Sequence, residues 1–187
     1  MRRLLCVPTL LMLLCSCSSR NALTAPKGKA KTMTIQVTSS AFSEGGSIPS
    51  RYTCDGPNVS PPLRWNTIPE GTKSIALIVD DPDAPRGDWV HWVVYDLPAS
   101  LRELPERVPP DEKILGNGGR QGTTDFGKIG YGGPCPPSGT HRYFFKVYAL
   151  DKTLGLAPGA TKPQLLKAIE THVLAQGQLM GKYARKQ

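Results

Sequence analysis

Two short segments, far apart in the chain, hold the residue types best suited to chemistry. One is Asp80-Asp81-Pro82-Asp83-Ala84-Pro85 followed by Trp89-Val90-His91; the other runs from Gly130-Tyr131-Gly132-Gly133-Pro134 to Thr140-His141-Arg142-Tyr143. Together they contain two of the three histidines. Each histidine adjoins an apolar, aromatic run and follows a Pro/Gly-rich loop, the pattern expected of a polar pocket at the rim of a β-scaffold. Asp81 precedes a proline, which forces extended backbone and holds carboxylates close in sequence to His91. In the second segment Gly132 and Gly133 let backbone N–H groups approach a ligand, while Pro134, Pro136 and Pro137 stiffen the loop. Two imidazoles, a phenol and bare amides suit a small oxyanion such as phosphate. Asp81 would then accept a hydrogen bond from an imidazole or receive an ammonium carried by the ligand.

Period-two geometry sets which of these residues share a wall. In a strand from Trp89 to Tyr95, His91 is expected on the face of Trp89, Val93 and Tyr95, opposite Val90, Trp92 and Val94. A strand starting at His141 would point His141 and Tyr143 one way and Arg142 the other, leaving Arg142 to pair with a nearby Asp. Three other uses of the residues compete with anion binding. A His-Asp pair with Ser138 or water as nucleophile would make a hydrolase, although Ser138 in Pro-Pro-Ser-Gly reads more simply as a turn hydroxyl. His91, His141, Asp81 and Cys135 could make a metal site, but no short-range ligand pair of the zinc type supports one, and no cofactor is called for. Rigid surface loops could instead inhibit a protease or kinase.

The elements that must position these residues are mostly strands. A chain of 187 residues suits one domain. With 18 Pro and 19 Gly punctuating apolar runs, many short strands are expected. The predicted strand core is 33–38, 73–79, 89–97 and 143–150. Between residues 98 and 140 lies a long Pro/Gly-rich connection of the kind usually kept for function. Thr161-Lys162-Pro163 predicts a helix start, with Thr as N-cap and Pro in the first turn. Leu166, Ile169, Val173 and Met180 continue at helical spacing, with Gly177 marking either close backbone approach or a break. His172 on that helix reads as a surface or packing residue.

The N-terminus reads as an export signal. Arg2 and Arg3 precede an apolar stretch from Leu4 to Leu14, too short to span a bilayer as a helix. Leu14-Cys15-Ser16-Cys17 resembles the lipobox of bacterial lipoproteins, with Cys17, preceded by small Ser16, as the acylation site. The alternative is plain secretion after cleavage nearby. The expected organisation is a signal peptide at 1–16, a lipid-anchored tether at 17–33 and a domain at 34–187, placed on the periplasmic side of a bacterial envelope. Loss of Arg2 and Arg3 takes the formal charge from +8 to +6. Part of the remainder is Lys27, Lys29 and Lys31 beside the membrane, where each charge contributes about 1 kcal/mol of attraction. No Lys/Arg stripe interleaved with aromatics points to nucleic acid. After export Cys54 and Cys135 remain; an oxidising compartment invites a disulfide between them, and two independent thiols are the alternative.

Taken in order, the two motifs resemble the signature regions of the phosphatidylethanolamine-binding protein family, in its bacterial Raf-kinase-inhibitor-like branch. Supporting matches are Tyr52-Thr53-Cys54-Asp55-Gly56, Ser60-Pro61-Pro62-Leu63 with Trp65, and the region from His172 to Tyr183. The similarity runs from about Thr34 to Arg185. It implies a mainly β (α+β) domain of two antiparallel sheets with peripheral helices, and a pocket that in relatives holds phosphate, phosphorylated head groups or acetate-like ions. By motif position the ligand-binding residues would be Asp81, His91, Pro134, His141 and Tyr143, with Asp83 and Trp89 beside them and Gly133 in the loop. Thr123-Thr124-Asp125 departs from the Asn often found before the Phe-Gly-Lys motif. Relatives include kinase-pathway inhibitors, flowering regulators and protease inhibitors, so fold and pocket alone do not carry a role across. The implied function is non-enzymatic binding of phosphorylated small molecules or lipid head groups.

Overall fold

Strand β4 (Ser74–Asp81) is buried along its whole length, and β5 (Trp89–Pro98) and β9 (His141–Leu150) flank it. Their β-branched and aromatic residues suit a sheet covered on both faces. The computed structural model describes residues 33–110, 113–114 and 118–185; the expected signal peptide, Cys17 and the expected tether as far as residue 32 lie outside them. Seven strands form the larger sheet in the order β1 (Met33–Thr34), β10 (Val173–Tyr183), β9, β4, β5, β8 (Gly119–Gln121), β7 (Lys113–Ile114). All neighbours are antiparallel except β1 and β10. The smaller antiparallel sheet is β2 (Gln36–Thr38), β3 (Leu63–Asn66), β6 (Glu103–Leu104). The mainly β, two-sheet architecture expected from the sequence is what the chain adopts, with a 3-10 turn at Ser50–Tyr52 and, among the described residues, one α-helix, α1 (Lys162–Ile169).

The two faces of the large sheet bury separate cores. Ile75, Leu77, Val79, Trp92, Tyr143 and Phe145 form one core with Val37, Leu63, Trp65 and Leu104 of the small sheet. Ala76, Ile78, Val93 and Tyr95 pack on the other face with Leu165 and Ile169 of α1. The helix opens as the sequence predicts: the Thr161 N–H donates to Gln164 Oε1 at 2.8 Å and Pro163 sits in the first turn.

Three expectations need correction. The helix does not continue past Ile169: Val173 and Met180 belong to β10, and Leu166 is exposed while Leu165 points inward. The period-two signal of β10 is hidden because Gly177 and Gly181 occupy positions where inward side chains would have revealed it. A Cβ on Gly177 would stand 1.8 Å from the Ile35 carbonyl oxygen, and one on Gly181 2.5 Å from Ile48 Cγ1. The expected strand 33–38 divides at buried Ile35, whose N–H donates to Gln176 O, so that its halves serve different sheets. Finally, β5 does not alternate strictly. Val79 pairs with Trp92 but Asp80 with Val90, which makes His91 the extra residue of a β-bulge. Val90 therefore packs with Val93 and Tyr95, and His91 turns to the side of Tyr143, its ring 5.2 Å from the tyrosine's. That side is opposite the one simple alternation assigns.

Candidate functional site

The bulge and the Asp-Pro-Asp-Ala-Pro turn bring the two motifs together. Asp81 ends β4, and its Oδ1 accepts the Asp83 N–H at 2.8 Å, an Asx turn that fixes the loop's exit. Its Oδ2 accepts a hydrogen bond from His141 Nδ1 at 2.8 Å, from the first residue of β9. Both residues are buried, Asp81 3% and His141 7% exposed. His91 Nδ1 donates to the Gly132 carbonyl at 2.6 Å, and the Gly132 N–H returns a bond to the His91 carbonyl at 2.9 Å. Each imidazole thus carries its proton on Nδ1 and leaves Nε2 for a ligand. Burial lowers the pKa of His91, against the opposing pull of its Gly132 bond and the nearby aspartates, so this ring is held neutral.

A cavity of about 280 Å³ opens between these side chains. Asp81, His91 and His141 supply polar groups, Trp89, Phe126, Pro85, Pro136 and Pro137 an apolar rim, and Arg86 a cation at the mouth. Phe126 meets His91 edge-on at 5.2 Å and Trp89 at 5.6 Å. Its loop is pinned to β5 by Asp125, whose Oδ2 accepts the Val90 N–H at 2.7 Å and whose own N–H reaches the Val90 carbonyl. Asp125 thus holds the position that the sequence left open.

Asp81, His91, His141 and Trp89 line the cavity; four other sequence-named residues do not. Tyr143 is fully buried against His91, and its hydroxyl has no hydrogen-bond partner among the described residues. Burial, then the Asp81 charge, raises its pKa and keeps it a neutral donor. Asp83 is gripped by Arg142, Oδ1 by Nη2 at 2.7 Å and Oδ2 by both Nε and the backbone N–H. That is the ion pair expected of Arg142. The amides of Gly132 and Gly133 are not bare: the first serves His91 and the second donates to Asn58 Oδ1 at 2.7 Å. Gly133 is required for close packing instead, since a Cβ there would lie 2.3 Å from the Tyr52 carbonyl oxygen. Pro134 accepts the Cys54 N–H through its carbonyl. Next to it Cys135 is disulfide-bonded to Cys54, with Cα atoms 5.4 Å apart, and Tyr131 donates to the Tyr52 carbonyl. The glycine loop is therefore a wall stapled to residues 52–58. His172 pairs with Asp151 at the surface. Among the described residues no three His, Cys, Asp or Glu side chains converge on a metal-sized site.

Sequence reasoning missed Arg86, Phe126 and Asn58. Arg86 directly follows the rigid turn, and Phe126 stands in a named motif, so position alone could have flagged both. Nothing in the sequence links Asn58 to Gly133.

A two-sheet β-scaffold with a small His/Asp-lined pocket at the ends of its central strands has the arrangement of a ligand-binding protein. The family model of phosphatidylethanolamine-binding proteins matches residues 38–184, and the chain belongs to that family. It is 55% identical over 145 residues to the UPF0098 protein of Methanothermobacter thermautotrophicus, covering 78% of this chain and 95% of that protein. Identity to the UPF0098 protein of Aquifex aeolicus is 50% over 154 residues, with 81% and 89% covered. Among solved structures, the putative PEBP homolog CT736 of Chlamydia trachomatis superposes with a TM-score of 0.76 at 42% identity, covering 83% of this chain and 100% of that one. E. coli YbcL, described as a member of the mammalian PEBP family, gives a TM-score of 0.76 at 36% identity, covering 81% and 99%.

Proposed function

We propose that the protein binds small phosphorylated molecules, or phosphorylated head groups, without turning them over. The observation that carries this reading is the Asp81–His141 pair on a pocket wall that offers no serine hydroxyl or free thiol as nucleophile. Ser138 is not on the lining, and the sulfur of Cys135 is bonded to Cys54. When an anion arrives, the Asp81 carboxylate stabilises an imidazolium on His141, whose Nε2–H can then donate to a phosphoryl oxygen. His91, neutral and with Nε2 unprotonated, accepts a hydrogen bond from the hydroxyl of a phosphate monoanion. The apolar rim takes the organic part of the ester.

The exported, lipid-anchored location belongs to the same proposal. Leu14 to Cys17 supports acylation at Cys17, and a disulfide at the domain surface suits an oxidising compartment. Mass spectrometry of the membrane-extracted protein tests it: a diacylglyceryl group on Cys17 is expected, and an unmodified Cys17 in membrane-free protein overturns it.

Binding is tested by following the ¹⁵N resonances of the histidine rings during titration with phenyl phosphate. His141 and His91 Nε2 should shift, and His172 should not. Absence of any pocket response at millimolar ligand overturns the reading. So does phosphate-ester hydrolysis that disappears in His141→Ala, which would make the His-Asp pair a catalytic base.

A further inference from the structure

We propose that the pocket prefers anionic phosphate esters to zwitterionic ones, and that Arg86 sets this preference; the inference rests on the binding reading above. The ammonium of a zwitterionic head group such as phosphoethanolamine is best met by a carboxylate, and the structure leaves none uncommitted on the pocket lining. Asp81, the one carboxylate on the lining, has one oxygen on the Asp83 N–H and the other on His141. Asp83 is held by Arg142. Asp80 and Asp88 both meet Lys162. Asp125 accepts the Val90 N–H. Every acid of the Asp-rich turn and of the Phe126 loop is thus engaged.

The positive side of the ledger is different. Arg51, Arg64, Arg142 and Arg185 each face a carboxylate. Arg86, exposed at the pocket mouth, has no ion pair among the described residues. Asp81 with His141 carries at most zero net charge, and His91 is held neutral by burial, so Arg86 is the permanent cation of the lining. It attracts the negative charge of the phosphomonoester monoanion and repels an ammonium placed at the same mouth. The ligand class is therefore a phosphomonoester whose organic part is uncharged and apolar enough to lie on Trp89 and Phe126.

Ethyl phosphate and O-phosphoethanolamine test this directly, because they share the ethyl ester and differ by the ammonium at its end. Calorimetric titration of the wild-type protein should give about five- to tenfold tighter binding of ethyl phosphate at low salt, with the gap narrowing as salt rises. Arg86→Gln should weaken ethyl phosphate by a similar factor and bring the two ligands close to parity. Equal or tighter binding of O-phosphoethanolamine, or an unchanged ratio in Arg86→Gln, overturns the inference while leaving phosphate binding in place. Binding of neither ester removes the reading and the inference together. Flotation with phosphatidic acid and phosphatidylethanolamine vesicles then separates the sources. Co-flotation with phosphatidic acid alone, competed by ethyl phosphate, supports the charge preference with a lipid source. Ester binding with no flotation supports it with a free source, and flotation on phosphatidylethanolamine alone overturns it.

Discussion

Asp80 and Asp81 are consecutive on β4, yet they serve opposite faces of the sheet under different rules. Asp80, on the face of Ala76 and Ile78, is fully buried and lies between two lysines, Lys146 at 2.7 Å and Lys162 of α1 at 2.5 Å. Lys162 in turn reaches Asp88. Asp81, on the face of Ile75, Leu77 and Val79, meets a single titratable partner, His141, at the wall of a cavity. A carboxylate gripped by two lysines, one of them on α1, ties helix to sheet. One whose partner can gain or lose a proton leaves a site that responds to what enters it. The same side chain thus anchors structure on one face and tunes recognition on the other.

The comparison breaks most sharply by removing each acid. Asp80→Ala leaves two lysines facing a buried gap and should cost on the order of 3 kcal/mol, read as a lower urea midpoint at unchanged slope. Pocket titrations on the fraction still folded should match wild type. Asp81→Asn should cost about 1 to 2 kcal/mol, because the amide keeps one acceptor oxygen and can hold the Asp83 N–H or the His141 Nδ1–H but not both. Its main effect should fall on phenyl phosphate affinity, lowered about tenfold or more as the imidazolium loses its counter-charge. If Asp81→Asn proved the more destabilising and left affinity unchanged, the division of labour would be reversed.

How much of this contrast the sequence exposes depends on the local geometry. Strict alternation holds along β9, so His141 and Tyr143 share a side and Arg142 leaves for Asp83 as its residue type suggests. It fails on β5, where a single bulged residue moves His91 across the sheet, because a bulge is a register event between strands and leaves no trace in either one alone. On β10 the signal is erased by glycines that leave room for the Ile35 carbonyl and the Ile48 side chain. The glycine loop misleads for a related reason. Gly133 lacks a side chain because the Tyr52 carbonyl stands against it, and its free-looking amide is taken by Asn58, which is 75 residues distant in the chain. Period and composition report which residues face inward; they do not report which hydrogen bonds are already used.

Acid sharpens the comparison on the pocket side. Burial lowers His91 below its ordinary value of 6.5, so the folded protein favours the neutral ring. The associated stability is present above about pH 6.5 and is lost as pH falls, since the unfolded chain then takes up the proton more readily. Between pH 7.5 and 5 this loss should be seen as a falling melting temperature. His91→Gln should melt lower at neutral pH and show less of this slope; a full slope in the variant would place the acid sensitivity elsewhere.

The smallest effect is expected at the turn between the two faces. Arg142 draws Asp83 down to about 2 through its guanidinium hydrogen bonds, so this pair contributes above the ordinary carboxylate value of 3.8 and is lost as pH falls toward 2. Its side chains are 28% and 50% exposed, which limits the contribution to less than about 1 kcal/mol. Asp83→Asn should therefore shift the melting temperature only slightly at pH 7 and not at all near pH 2, and should leave ethyl phosphate affinity within about twofold. A large loss of affinity in this variant would mean that Asp83 orients the Asp81 turn for the ligand, and the contrast would then lie between Asp80 and a coupled Asp81–Asp83 unit rather than between two adjacent residues.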